Sequence, residues 1–230
     1  VLAGVIATAT AQNSTTNNTA CVTGNAVHMI VARASLEPPG TGIIGEVATQ
    51  VQQQFPGSDI VPVVYPATLD NYPSSENDGV VAMTQLVTDY AARCPDSKIV
   101  LMGYSQGAQV TADVLCGRTD GPYFNTTQPL ASSISSQVTA AVLMGDPSKS
   151  TNETFLAGTS TKNGIFPREV PAGCDPVADR MVSYCNANDT YCDSGSSLDV
   201  HLSYVQDNGT SAVNFIVDQI NAGAGGSNGT

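Results

Sequence analysis

The stretch from Lys98 to Leu115, KIVLMGYSQGAQVTADVL, constrains the chain more than any other. Its first half is a continuous apolar run, the pattern of a strand buried on both faces. Its second half has apolar residues at helical spacing. At the junction Gly103, Ser105 and Gly107 set one serine between two glycines. A sharp strand-to-helix turn requires that arrangement, because side chains at the flanking positions would collide with the strand and the helix. The serine itself occupies a strained conformation that aims its hydroxyl outward. It stands at the start of a helix, where unpaired N–H groups can receive a developing negative charge. Alone the short motif is weak; a strand before it and a helix after it are the context it needs. Ser105 is the candidate nucleophile.

The rest of the chain repeats the alternation. Ala26–Ala34, Asp59–Pro66, Lys98–Tyr104, Val138–Gly145 and Arg180–Cys185 read as strands. Ile43–Phe55, Asp78–Cys94, the segment after Ser105, and Ser211–Ile220 read as helices. In the second of these Val80, Met83, Val87, Tyr90 and Cys94 share one face. Apolar strands alternating with helices indicate an α/β domain, a parallel sheet covered by helices on both sides. Ligands of such sheets bind at the carboxyl ends of the strands, which is where Ser105 falls. There is no internal repeat and no central linker, so one domain is expected.

A serine hydroxyl needs a base near neutral pH, and histidine is the usual one. The sequence has only His28 and His201. His28 lies inside the first strand and reads as a structural residue. His201, in SSLDVHLSYV, comes late and precedes the last helix, which suits the chain order serine, acid, histidine. The acid stays open on spacing alone. Asp146 follows the strand after the nucleophile, and Asp189, Asp193 and Asp199 all lie close before His201. Asp189 would be held rigidly if Cys185 and Cys192 pair around it.

The ends of the chain differ from its middle. Residues 1–11 are small and apolar and finish Ala9-Thr10-Ala11, so they read as the remnant of a signal peptide. Residues 12–20 read as a disordered polar tail, residues 21–222 as the domain, and residues 223–230 as a flexible Gly/Ser tail. Asn-x-Ser/Thr sequons at Asn13, Asn17, Asn125, Asn152, Asn188, Asn208 and Asn228 agree with secretion. Six cysteines fit three disulfides better than a metal site, since no CxxC pair occurs. A net charge of −12 repels phosphate backbones and disfavours nucleic acid as a partner. No stretch reads as a stable membrane span, and a monomer is expected.

Together GYSQG around Ser105, SYCNANDTYC, HLSY and VARASLEPPGTG resemble the cutinase and acetylxylan esterase family of small serine esterases, over roughly Cys21 to Asn221. The resemblance implies a three-layer α/β-hydrolase-like sandwich with a five-stranded parallel central sheet and no large lid. It places the nucleophile at Ser105, the acid at Asp189 and the base at His201. It implies an oxyanion hole built from Ser35 and Gln106. It suggests disulfides Cys21–Cys94 and Cys185–Cys192, with Cys116–Cys174 left over. Neither metal nor organic cofactor is implied. Asn188 adjoins Asp189, so a glycan there would crowd the site, and it is expected unmodified.

The expected substrate is an ester. Leu198, Val200 and Leu202 before and after the base could form an apolar rim, although the same alternation also suits a short strand packed on the core. The segment YPATLDNYPSS resembles the cutinase version of that region. Short- to medium-chain acyl esters of the cutin type are therefore expected, with deacetylation of xylan as the alternative. A secreted surface glycoprotein with the same fold and a disabled site is the reading of a different class.

Overall fold

Successive residues of the central strands point to opposite sides of one sheet, and both sides are covered. The computed structural model describes residues 20–119 and 123–225. The strands are β1 (Val27–Ala32), β2 (Asp59–Pro62), β3 (Lys98–Tyr104), β4 (Val138–Met144), β5 (Leu156–Ala157) and β6 (Met181–Tyr184). They pair in the order β2-β1-β3-β4-β6-β5, every pair parallel. The helices are α1 (Gly45–Gln54), α2 (Tyr72–Arg93), α3 (Gln106–Cys116), the single turns α4 (Ser132–Ser135) and α5 (Leu198–His201), and α6 (Tyr204–Gly225).

On one side Ile30, Leu101, Ala141 and Leu143 pack with Val80, Met83 and Val87 of α2 and Ala108, Val110 and Ala112 of α3. On the other side Met29, Val31, Val100, Met102 and Val142 pack with Val47 and Val51 of α1 and Val213, Ile216 and Ile220 of α6. Alternate residues of one strand serve opposite cores, which is why these strands are apolar without interruption. The result is a three-layer α/β-hydrolase-like sandwich.

Among the described residues the sheet has six strands rather than the expected five. The addition is β5, two residues pairing at the edge with β6. A two-residue strand carries no periodicity to detect. Helix α2 begins six residues before the expected Asp78, with Pro73 in its first turn. Helix α6 begins seven residues before the expected Ser211 and runs to Gly225, into the stretch expected as a tail. The signal-peptide reading of residues 1–11, nearly all of the polar tail 12–20 and the final residues 226–230 lie outside the described residues. Among the described residues three disulfides join Cys21–Cys94, Cys116–Cys174 and Cys185–Cys192. No helix of the described residues is long and apolar enough to cross a membrane.

Candidate active site

Ser105 leaves β3 with φ 54° and ψ −118°, a positive φ that a side chain rarely adopts. Three hydrogen bonds hold it there. Its N–H donates to the Met144 carbonyl at 2.8 Å, carrying the β3–β4 ladder one residue past the strand. Its carbonyl then accepts the first turn of α3 from Ala108 and Gln109. The glycines are steric requirements. A Cβ at Gly103 would overlap the Gly107 carbonyl, and a Cβ at Gly107 would overlap the Ala32 carbonyl of the next strand.

His201 ends the one-turn helix α5. The Ser197 hydroxyl caps that turn, accepting from the Val200 N–H at 3.2 Å. The Tyr104 hydroxyl donates to the His201 carbonyl, which fixes the backbone beneath the ring. Gly145, just past β4, lets the ring approach: a Cβ there would lie 2.8 Å from His201 Cε1. The imidazole Nε2 stands 2.9 Å from Ser105 Oγ, and Nδ1 stands 2.8 Å from Asp189 Oδ2.

Asp189 sits at the tip of the loop closed by Cys185–Cys192 and is wholly buried. Its Oδ1 accepts the N–H groups of Tyr191 at 2.6 Å and Cys192 at 2.9 Å. Its Oδ2 accepts from His201 and from the Tyr204 hydroxyl, both at 2.8 Å. Burial works against its charge, but the bond to His201, that ring's charge and the two backbone donors outweigh it and hold the carboxyl below its ordinary range. Hydrogen bonds to a carboxylate favour the charged, accepting form.

The other candidates fall elsewhere. Asp146 is buried and accepts both the N–H and the hydroxyl of Ser148, each at 2.7 Å. Burial raises its pKa, and the nearby Arg168 opposes that rise. Asp193 braces the disulfide loop, accepting from Asn188 N–H with one oxygen and from Ser160, Thr161 and Lys162 with the other. Asp199 lies exposed on α5. His28 is stacked on Tyr90 at 3.6 Å and bonded to Asp59, far along the sheet from Ser105. The Asn188 side chain is engaged too, its Oδ1 accepting the Ser196 N–H at 3.1 Å.

Ser35 borders the same pocket as Ser105, and its buried hydroxyl has no hydrogen-bond partner among the described residues. The loop that carries it is tied down on both sides. The Arg33 guanidinium donates to the carbonyls of Glu37, Tyr65 and Pro66, and the Glu37 carboxylate accepts the Ala34 N–H at 2.7 Å. Gln106 is buried at the first position of α3. Its side chain is used up by the Ser75 hydroxyl and the Thr68 carbonyl. Its backbone N–H belongs to the first turn of the helix, whose donors lack intrahelical partners.

A pocket of about 580 Å³ opens over Ser105 and His201. Leu36, Leu69, Tyr72, Ile165, Phe166 and Leu202 supply much of its wall. Several are exposed at the mouth, Leu36 by 72% and Leu202 by 59%. The Tyr72 hydroxyl is turned away, donating to Gln109 Oε1 at 2.9 Å. Of the expected rim, Leu198 and Leu202 line the pocket and Val200 does not. The expectation assumed alternation, but the segment is a helical turn, on which residues three or four apart share a face. No motif in the sequence marks the aromatic wall or Gly145, or a role for Tyr204. A tyrosine opening the helix just after the candidate base was the available signal. No cluster among the described residues could hold a metal ion.

The chain is similar to known proteins in sequence and in fold. The family model Cutinase matches residues 23–220. Acetylxylan esterase 2 of Talaromyces purpureogenus is 34% identical over 204 residues, covering 85% of this chain and 87% of the relative. Cutinase 11 of Verticillium dahliae is 34% identical over 206 residues, covering 86% and 70%. The catalytic core domain of acetyl xylan esterase from Trichoderma reesei superposes with a TM-score of 0.80 at 35% identity, covering 84% and 98%.

Proposed function

The chain belongs to the cutinase family of serine esterases, and we propose that it cleaves short- to medium-chain acyl esters through Ser105, His201 and Asp189. The observation that carries the mechanism is the continuous hydrogen-bonded line from Ser105 Oγ through the His201 ring to Asp189. His201 Nε2 takes the proton from Ser105 as its oxygen attacks the ester carbonyl. Asp189 holds the tautomer that leaves Nε2 free to accept, and it stabilises the ring once charged. The negative oxygen of the tetrahedral intermediate is met by the backbone N–H of Gln106 and by the N–H and hydroxyl of Ser35, a hydroxyl with no other partner among the described residues. His201 then protonates the departing alcohol, leaving an acyl group on Ser105. Water, activated by the same ring, releases the acid. The cycle needs no metal and no organic cofactor.

The apolar pocket supports the substrate assignment. Apart from Ser35, Ser105 and His201, its wall is built largely of aliphatic and aromatic side chains, and such a wall favours an apolar acyl or alcohol group. A second reading, removal of acetyl groups from xylan, is supported by the likeness to acetylxylan esterases. Hydrolysis of p-nitrophenyl acetate, p-nitrophenyl butyrate, cutin and acetylated xylan by one preparation separates the two. Higher kcat/KM on butyrate than on acetate, with fatty acid released from cutin, is the expected result. Acetate release from xylan with no turnover of butyrate would replace the first reading by the second. The three disulfides fit an oxidising compartment, and we place the protein outside the cell as a monomer.

A further inference from the structure

One hydroxyl in the site has no part in the cycle above. Tyr204 opens α6, three residues after His201, and is fully buried. Its Oη accepts the Asn186 N–H at 2.8 Å and stands 2.8 Å from Asp189 Oδ2. A phenol has one proton to give. The Asn186 contact uses a lone pair, the disulfide sulfur of Cys192 at 3.2 Å is only a weak acceptor, and the ionised Asp189 carboxylate at 2.8 Å is the stronger one, so the proton points at Oδ2. Burial keeps this phenol protonated, raising its pKa. Two donors, the Tyr204 hydroxyl and His201 Nδ1, therefore share one carboxylate oxygen. The same hydroxyl ties the start of the disulfide loop, at Asn186, to the loop's tip.

We propose that Tyr204 is a positioning residue that sets the basicity of His201 by sharing the Asp189 oxygen bonded to it. The inference rests on the Ser105–His201–Asp189 cycle. With Tyr204 in place, part of the Asp189 charge is taken up by the phenol, and the carboxylate cannot rotate. Without it the charge falls more heavily on the bond to Nδ1. The imidazolium is then held more tightly, and His201 releases its proton only at higher pH. The ring of His201 faces Asp189, Tyr104, Tyr191, Tyr204 and Ser105. Of these Asp189 is the only carboxylate, and no basic side chain is among them. Further out, Glu37 and Asp207 act on Tyr104, and Lys149 feels Asp189.

The test is the pH profile of kcat/KM for p-nitrophenyl butyrate, measured on the whole chain and on Tyr204→Phe, with the melting temperature of each. The variant is expected to lose about tenfold in kcat with KM little changed. Its acid limb should move about half a unit to higher pH. In an Asp189→Asn background the same substitution should cost nothing further, because the partner through which it acts is gone. An unmoved limb in a folded Tyr204→Phe enzyme, or an equal loss in both backgrounds, overturns the proposal. Should phenylalanine prevent folding, 3-fluorotyrosine placed at position 204 gives a stronger donor; the limb should then move to lower pH, and an unmoved limb overturns the proposal. If Ser105→Ala keeps wild-type activity, the cycle itself is wrong. If Ser105→Ala is inactive while Tyr204→Phe matches the wild type, only the role of Tyr204 fails.

Discussion

The imidazole of His201 lies 2.9 Å from the hydroxyl of Ser105, although 96 residues of chain separate them. Each is delivered by its own local device. Ser105 is thrown outward by a turn that only glycine neighbours permit. His201 is carried on a single capped helical turn whose carbonyl is pinned from below by Tyr104. The meeting point lies beyond the carboxyl ends of β3 and β4, where a parallel sheet leaves its crevice.

Asp189→Asn should fold and should lose about 10³–10⁴-fold in kcat, since an amide does not hold the imidazole in the required tautomer. The affected step follows substrate capture, so KM should stay close to the wild type. Steady-state kinetics on p-nitrophenyl butyrate measure both. A loss of less than tenfold would remove Asp189 from the cycle.

Gly107→Ala should cost stability as well as activity, because the added methyl meets the Ala32 backbone, which cannot swing aside as a flexible side chain could. A loss of about 2–4 kcal/mol, or roughly 5–10 °C in Tm for a domain of this size, is expected. Gly223→Ala is the control, because a Cβ there meets open space in a helix. Equal melting temperatures for the two variants would contradict the steric account of the turn.

The disulfides should separate stability from activity. Cys21–Cys94 spans 73 residues and Cys185–Cys192 only 7. Loop entropy assigns ~4 kcal/mol to the first and roughly 2.5 to the second. Replacing both cysteines of the long bridge with serine should lower Tm the more and leave kcat nearly unchanged. Replacing those of the short bridge should lower kcat the more, because it frees the loop that presents Asp189. Calorimetry and kinetics on the two double variants give the comparison; the reverse pattern would be evidence against it.

Stability should fall as pH rises from about 5 to 8. Burial, with Asp146 nearby and Arg168 opposing, pushes the Glu153 carboxyl from 4.5 up to about 8. The folded chain thus holds this proton more tightly than the unfolded chain does. Its contribution is complete below the unfolded value and is lost as pH climbs through the folded one. Burial shifts Glu76 and Asp146 in the same direction. Glu153→Gln should flatten the decline in Tm over this range. An unchanged slope in that variant would show that Glu153 is not its source.

Much of this was legible in the sequence for reasons that can be named. The apolar run of β3 is uninterrupted because Val100 and Leu101 face different cores, and Gly103 and Gly107 announce a turn that nothing else requires. Scarcity did the rest for His201, since only one other histidine exists. Spacing does not choose between Asp189 and Asp193, because both accept backbone N–H groups and only Asp189 also meets the His201 ring, a contact made by the folded loop. Val200 lies off the pocket wall, and the sequence does not show this because a four-residue helical turn and a short strand carry the same apolar letters. Tyr204 was invisible as a participant: its hydroxyl matters through a loop that folds back from 18 residues earlier. Strand β5 has two residues and no pattern at all.

The most direct measurement is active-site labelling. The whole chain is treated with an organophosphate that traps activated serines, the modified residue is located by peptide mass spectrometry, and hydrolysis of p-nitrophenyl butyrate is followed in parallel with Ser105→Ala. One label per chain is expected, on Ser105, with stoichiometric loss of activity and with neither label nor turnover in the variant. A label on another residue, or full turnover by Ser105→Ala, would contradict it.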